Sequence, residues 1–466
     1  MSMYCPVRQF LRGKTILLTG ATGFLGKVIV ERLLRAAPEI GRIYLLIRTP
    51  RVPAAVRFDT EVLASAVFES QAGTYGDGWD PFVRAKVVPV AGDVSQPRLG
   101  FTNDDFAALT AQVDIVINSA ASVAFDAPLD EALEHNTRST QRIAEFARAC
   151  RAASLVHIST AFVAGQRTGR MAEAALPDIA SAEIAAIDDI TRTILDAAEG
   201  QRDGRETRAR LVEAGMVRAR SAGWHDTYTY TKALGEMVLA TNRGAVPTAI
   251  VRPTIIESSL RDPEPGWLEN LNVGDPLFVE FGRGRMPDFP LRRDTIFDMV
   301  PVDLVANAVV ALLPQVSSMA AIGYYTVGSG SLNPLTGARL YEITLEYFLR
   351  NPMLDRRGLT IQPAQWTFPT PERFREMFAG EARRSTTTKR LMYLADLYAS
   401  YTNADCVFDT TRTDDLLGTL DARDRALLDF DVRRIDWRGY IQDVHMPGLR
   451  RHVLKEDAAS GVAVRD

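Results

Sequence analysis

Short, uninterrupted apolar runs alternating with stretches of helical spacing organise most of this chain. Thr15 to Thr19 (TILLT), Ile43 to Ile47, Val87 to Ala91, Val113 to Asn118, Leu155 to Ser159 and Thr248 to Val251 are rich in Val, Ile and Leu and lack strict polar alternation. Such runs predict strands buried on both faces, as in a parallel sheet covered by helices. Between them, segments such as VIVERLLRAAP carry apolar residues at helical intervals until Pro38 stops the pattern. The alternation predicts an α/β fold, a doubly wound parallel sheet over residues 10–334.

Two regions break this rhythm. Ala172 to Gly223, with an arginine-rich stretch from Arg202 to Arg220, reads as a helical insertion between the Ser159 strand and the segment around Tyr228. From Leu335 the pattern becomes mainly helical, most clearly at Leu340 to Arg350 and Arg383 to Tyr401, which predicts a helical C-terminal domain over residues 335–456 and a tail over 457–466. The apolar stretch Met299 to Leu313 is interrupted by Pro301, Asp303 and Asn307, and reads as a buried strand end and helix. No stretch approaches the ~18 to 20 apolar residues of a spanning helix, and the N-terminal MSMYCPVRQFLRGK lacks a signal-peptide core.

Composition narrows the class. The chain has 466 residues, 46% of them hydrophobic and 24% charged, the profile of a globular protein with more than one compact unit. A net charge of -4 gives no global attraction to nucleic acid or to an anionic membrane. Three cysteines, Cys5, Cys150 and Cys406, stand far apart, so neither a disulfide framework nor a metal site is expected, and a reducing cytoplasm fits.

The first strand ends in Thr19-Gly20-Ala21-Thr22-Gly23-Phe24-Leu25-Gly26, three glycines spaced three apart at a strand-to-helix junction. Gly20 permits a tight turn, Gly23 lets the backbone approach a pyrophosphate, and Gly26 allows close helix packing, while the helix N-terminus offers free N–H groups to the anion. This is the Rossmann-type dinucleotide layout, with Thr19, Thr22, Phe24 and Leu25 flanking the glycines. At the end of the second strand stand Arg48 and, close behind, Arg51, where an acidic residue would grip the ribose of NAD; arginine there favours the extra phosphate of NADPH. Asp93 and Val94 after the third strand, and Asn118, Ser119 and Ala120 after the fourth, fall at carboxyl ends of strands, where doubly wound sheets bind ligands. Asp93 suits an adenine amino group.

Candidate chemistry concentrates in HDTYTYTKALGE. Residues four apart on a helix share a face, so Tyr228 aligns with Lys232 and Tyr230 does not. A phenol near pKa ~10 becomes a useful acid-base group when an ammonium stabilises its anion. Ser159 and Thr160 at the end of the fifth strand supply hydroxyl donors for a carbonyl oxygen gaining charge, and alternation sends one of the two to the substrate. His157, inside the apolar strand, reads as a packed core residue.

Together these residues resemble the extended short-chain dehydrogenase/reductase superfamily. GATGFLGKVIVERLLR, INSAASVAFD, HISTAFVAG, DTYTYTKALGE, VRPTIIESSLRDPEPGWLENL and VPVDLVANAVVA are similar, in that order, to the fatty acyl-CoA reductases. CVFDTTRTDDLL and DVRRIDWRGYIQDVHMPGLRRHVLKE resemble the helical domain of the alcohol-forming members, bacterial ones in particular. The resemblance implies Tyr228 and Lys232 as the catalytic pair, Thr160 as third member with Ser159 as alternate, and Pro253, Thr254 and Ile255 alongside Lys232 in contact with the cofactor. Phe162-Val163-Ala164 departs from the Tyr-Val-Asn more usual in the family and removes a polar side chain near the site.

The implied reaction is NADPH-dependent reduction of a long-chain acyl-CoA thioester through a fatty aldehyde to a primary fatty alcohol. The insertion and C-terminal domain are expected to bury the alkyl chain, worth ~0.8 kcal/mol per methylene. For the residue 202–220 arginines and Arg450-Arg451-His452, a solvated helix face is preferred over contact with CoA phosphates. An aldehyde-releasing reductase, or one acting on acyl-carrier-protein thioesters, would share these residues, and peripheral contact with a lipid surface stays compatible with them. A nucleotide-sugar epimerase or dehydratase shares only the Rossmann half, and an NADPH-binding scaffold predicts no role for the Tyr228 hydroxyl.

Overall fold

The computed structural model describes residues 5–198 and 204–456. The start of the arginine-rich stretch, at Arg202, and the 457–466 tail lie outside the described residues.

Seven parallel strands form the central sheet: β1 (Thr15–Thr19), β2 (Arg42–Ile47), β3 (Val87–Ala91), β4 (Ile115–Asn118), β5 (Ser154–Ile158), β6 (Thr248–Pro253) and β7 (Gly323–Val327). Their order is β7-β6-β5-β4-β1-β2-β3. Leu17 of β1 sits opposite both Tyr44 of β2 and Val116 of β4, so the sheet reverses direction of growth at β1, the place where doubly wound sheets open a ligand crevice. Six of these strands are the apolar runs of the sequence. β7 is the exception: GYYTV begins with glycine and carries two tyrosines and a threonine in place of a Val, Ile and Leu run.

Alternation along the strands divides the core. Ile16, Leu18, Ile117, Val156 and Ile158 face one side, against α1 (Phe24–Ala36) and, further along, α7 (Val302–Val316). Leu17, Val116, Leu155 and Ile250 face the other, against α2 (Ser139–Ala149) and the far end of α5 (Thr227–Asn242). The insertion supplies α3 (Ala180–Ala197) and α4 (Arg205–Ser221), which pack on α5 around Ile187, Ala219 and Tyr230.

α6 (Asp275–Gly282) follows the PGWLEN segment, and the C-terminal region contributes α8 (Gly337–Arg350), α9 (Pro371–Ala382) and α10 (Thr386–Thr402). Its buried residues Ile343, Phe348, Leu394, Tyr401 and Ile441 belong to the same core as Ile16 and Ile158, so this region closes over the sheet face and shares its interior. A strand in the C-terminal region, Cys406–Phe408, pairs in parallel with Gly169–Met171 and ties it to the residues that follow Thr160.

Candidate active site

Asp226 starts α5, its carboxylate accepting from the Thr229 N–H at 2.7 Å. Burial pushes that carboxyl up to about 6, against the hydrogen bonds from Thr229 that lower it. The Thr227 N–H donates to Phe125 O at 3.1 Å, which brings the loop after β4 to the start of the helix. Phe125 meets the Tyr228 ring edge-on at 6.0 Å.

Tyr228 and Tyr230 diverge as the helical repeat requires. Tyr230 is fully buried, stands 5.5 Å from Trp224 and donates to Glu183 of the insertion, which also pairs with Arg218. Tyr228 meets Thr160 by a hydrogen bond that lowers the phenol's pKa, but burial, the larger influence, and the Asp226 carboxylate raise it. Thr160 Oγ1 also accepts from the Phe162 N–H at 3.3 Å and donates to Pro253 O at 3.5 Å. Ser159 is equally buried, and its hydroxyl has no partner among the described residues.

Lys232 donates to Ile158 O at 2.6 Å, and burial lowers its ammonium to about 8, the Glu236 charge opposing the shift. This differs from the sequence expectation of an ammonium that depresses the Tyr228 phenol. The shared helix face brings the two residues to the same strand end, but the lysine is committed to a carbonyl, and the phenol rises rather than falls.

The glycine turn fits a dinucleotide. Gly20 has φ 74°, and a Cβ there would lie 2.6 Å from the Ser119 carbonyl carbon. A Cβ on Gly26 would overlap the Gly20 carbonyl oxygen. No side chain caps α1, so its first N–H groups remain available to an anion beside exposed Gly23 and half-buried Thr22, Ser119 and Ala120. Arg48 and Arg51 are exposed beyond β2, and their guanidinium groups make no ion pair among the described residues. Half-buried Asp93 accepts from Ser95 through both its N–H, at 2.9 Å, and its hydroxyl, at 2.7 Å.

Several residues assigned to the cofactor turn their side chains elsewhere. Thr19 donates to Asn118 at 2.6 Å and accepts from the Ala120 N–H, and Asn118 bonds His157 Nδ1 at 3.0 Å, a buried chain that joins β1, β4 and β5. His157 is neutral, held well below its ordinary pKa by burial and then by the Lys232 charge. Leu25, Val94 and Ile255 are core residues, and the Thr254 hydroxyl is engaged by Val327 O and Asp298. Phe24 stacks at 5.2 Å on Trp267 of the PGWLEN segment, whose Glu269 pairs with Lys27 of α1, so that segment braces the glycine turn.

An aromatic wall closes the site. Tyr401 of α10 lies 4.6 Å from Phe162 and 5.5 Å from Phe125, and Tyr398 lies 6.1 Å from Phe125. A cleft of ≈ 370 Å³ carrying Arg220, His225 and Arg375 opens beside Asp226. In the two arginine-rich stretches, Arg208 pairs with Glu131, Arg218 with Glu183, Arg450 with Glu456 and His452 with Glu264.

One cluster escaped the sequence. Glu257, Asp275 and His445 are fully buried with ligand-type atoms within 4.8 Å of one another. His445 Nε2 lies 3.2 Å from Asp275, and its Nδ1 3.0 Å from the Ser258 hydroxyl. Burial, and then the neighbouring Asp275 charge, push Glu257 well above the usual carboxylate range. Lone acidic residues in apolar runs and a histidine far along the chain offer no spacing signal for such a group.

A family model of NAD-binding type, described as "Male sterility protein", matches residues 18–309, and a second with that description, Sterile, matches residues 374–456. Over 96% of this chain and 79% of its own length, "Fatty acyl-CoA reductase 2, chloroplastic" of Arabidopsis thaliana is 33% identical. The "Alcohol-forming fatty acyl-CoA reductase" of Simmondsia chinensis is 30% identical over 96% of this chain and 99% of its own. Among solved structures, the terminal R domain of the myxalamid PKS-NRPS pathway superposes with TM-score 0.65 at 20% identity, covering 94% of this chain and 90% of that one. The Mycobacterium tuberculosis non-ribosomal peptide synthetase reductase domain gives 0.59 at 22%, covering 94% and 92%. Both likenesses concern the fold.

Proposed function

The chain belongs to the fatty acyl-CoA reductase family, and from that membership we propose that it reduces a long-chain fatty acyl-CoA with NADPH through a fatty aldehyde to a primary fatty alcohol. The oxidoreductase class and a nicotinamide cofactor follow from the family itself. The observation that carries the finer reading is the meeting of Tyr228 and Thr160 just past the end of β5, with Lys232 anchored on Ile158, two residues before Thr160.

When bound at the glycine turn, the reduced nicotinamide supplies hydride to a carbonyl carbon. Arg48 and Arg51 are the groups that would meet the phosphate distinguishing NADPH from NADH. Thr160 and Tyr228 present hydroxyls to the carbonyl oxygen as it gains negative charge, fixed donors in a dry site. Collapse of the tetrahedral species breaks the C–S bond, expels the thiolate of CoA and leaves the aldehyde. A second hydride addition at the same place puts charge on the aldehyde oxygen, and Tyr228 gives it the proton that completes the alcohol. The raised phenol suits a donor, because Tyr228 holds its proton at neutral pH. Phe125, Phe162, Tyr398 and Tyr401 keep water from the aldehyde between the two steps. The cleft beside Asp226, with Arg220 and Arg375 on its walls, offers the thioester carrier a route to Tyr228.

Among the described residues no helix is long and apolar enough to cross a membrane, so delivery of the long-chain product to a lipid surface would be peripheral. Incubating the protein with palmitoyl-CoA and NADPH and quantifying free CoA, hexadecanal and hexadecanol tests the reading. Two NADPH consumed and one hexadecanol formed per CoA released is the expected result. Accumulating aldehyde would mean that reduction stops halfway, turnover confined to acyl-carrier-protein thioesters would replace CoA as the carrier, and no thiol release would overturn the reading.

A further inference from the structure

The buried group of Glu257, Asp275 and His445 has no part in the proposed reaction and is drawn from three parts of the chain. Glu257 ends the short strand Ile255–Glu257 that follows β6, Asp275 begins α6, and His445 ends the C-terminal turn Tyr440–His445. Each has one polar atom held from outside the group. The Gly274 N–H donates to Glu257 Oε1 at 2.9 Å, the Asn272 N–H donates to Asp275 Oδ2 at 2.6 Å, and His445 Nδ1 lies 3.0 Å from the Ser258 hydroxyl. The other atom of each, Glu257 Oε2, Asp275 Oδ1 and His445 Nε2, is buried and takes no well-aligned hydrogen bond among the described residues. Asp275 Oδ1 stands 3.2 Å from His445 Nε2, and one ligand-type atom from each of the three residues falls within 4.8 Å of the others.

Neither carboxylate pairs with an arginine or lysine among the described residues, yet both are fully enclosed. Buried carboxylates find a cationic partner or coordinate a metal. Hydrogen bonds that orient each side chain from behind while leaving one atom of it free are the arrangement found around metal ligands. We propose that Glu257, Asp275 and His445 bind one zinc ion through these three free atoms. Two carboxylates and a neutral imidazole match its charge, with His445 Nδ1–H donating to the Ser258 hydroxyl so that Nε2 presents its lone pair. Mixed nitrogen and oxygen donors suit zinc, whereas magnesium and calcium take oxygen. Zinc holds such atoms at about 2.0 to 2.2 Å, so binding draws the three inward from their present spread.

The role of the ion is structural. It pins the C-terminal turn to the start of α6 and to the strand that leads into Ser259, whose hydroxyl accepts from the Trp267 N–H at 3.1 Å. Trp267 is the residue stacked on Phe24 of the glycine turn, so the ion fastens the C-terminal region to the brace of that turn.

The test uses the untagged full-length chain, expressed in zinc-supplemented medium and gel-filtered, with metal content read by mass spectrometry. About one zinc per chain is expected, the content of a single closed site. His445→Ala and Glu257→Gln, each confirmed folded by circular dichroism, are expected to lower that content at least about 10-fold, and to melt below the zinc-loaded wild type. X-ray absorption at the zinc edge of the wild type is expected to show nitrogen and oxygen neighbours, a readout that needs no variant to fold. Zinc far below one per chain in the wild type would overturn the inference. So would sulfur neighbours, which would assign the ion to the cysteines, or folded variants that keep the wild-type zinc content.

Discussion

The Lys232 ammonium donates to the carbonyl oxygen of Ile158 at 2.6 Å, at the last residue of the strand that leads into Ser159 and Thr160. This bond fixes the cation against the end of β5 and leaves its burial uncompensated by any contacting carboxylate, which is why its proton is lost near pH 8. The free enzyme's kcat/KM is expected to fall as pH rises through about 8, because the neutral amine would no longer supply charge beside the nicotinamide ribose. A pH–rate profile that stays level through that range would show that the Lys232 proton is not needed.

Cofactor choice is expected to depend on Arg48 and Arg51. Replacing both with Ala should raise KM for NADPH roughly 10-fold, as loss of a hydrogen bond to a charged group implies, and leave KM for NADH nearly unchanged. Steady-state rates with each nucleotide decide this. Equal effects on both nucleotides would remove the arginines from phosphate recognition.

Glu236 and Arg252 form a buried bidentate pair, 2.6 Å and 3.0 Å, with Tyr324 4.7 Å over the guanidinium. Arg252→Met leaves the Glu236 carboxylate buried and alone, so it is expected to destabilise the fold by about 3 to 5 kcal/mol in urea unfolding. Adding Glu236→Met should recover much of that loss. A single variant as stable as the wild type would refute the pairing.

In the metal-free protein, burial and the neighbouring Asp275 charge raise the folded pKa of Glu257 above its unfolded value. That contribution is fully present below the unfolded carboxyl pKa of ~4.3 and is lost as pH rises through the folded value. Glu257→Gln keeps the neutral shape at every pH. The melting temperature of the Gln variant is therefore expected to rise relative to wild type as pH increases above ~4.3, and parallel melting curves across pH would contradict the raised carboxyl.

Much of this arrangement was legible in the sequence because local rules sufficed. The glycine turn, six of the seven strands, and the divergence of Tyr228 from Tyr230 all follow from spacing along one element. β7 escaped because glycine, two tyrosines and a threonine stand where its neighbours carry Val, Ile and Leu. The engagement of Thr19 with Asn118, of Thr254 with Asp298, and the grouping of Glu257 with His445 depend on strands and segments far apart in the chain. Pattern cannot tell a threonine that faces a cleft from one that ties two strands together. Nor does it show that the C-terminal helices share the core of the sheet, since their apolar faces read alike whether they pack among themselves or on Ile16 and Ile158.

The central claim is that the Tyr228 hydroxyl, paired with Thr160, acts on the carbonyl oxygen. The most direct measurement compares wild type with Tyr228→Phe, following CoA release from palmitoyl-CoA in a single turnover while NADPH binding is titrated by fluorescence. The ring and its packing on Phe125 persist in the variant. The account predicts that CoA release and alcohol formation collapse by at least about 100-fold, the usual contribution of a positioned acid, with NADPH affinity retained. Release and alcohol formation at wild-type rates would contradict it.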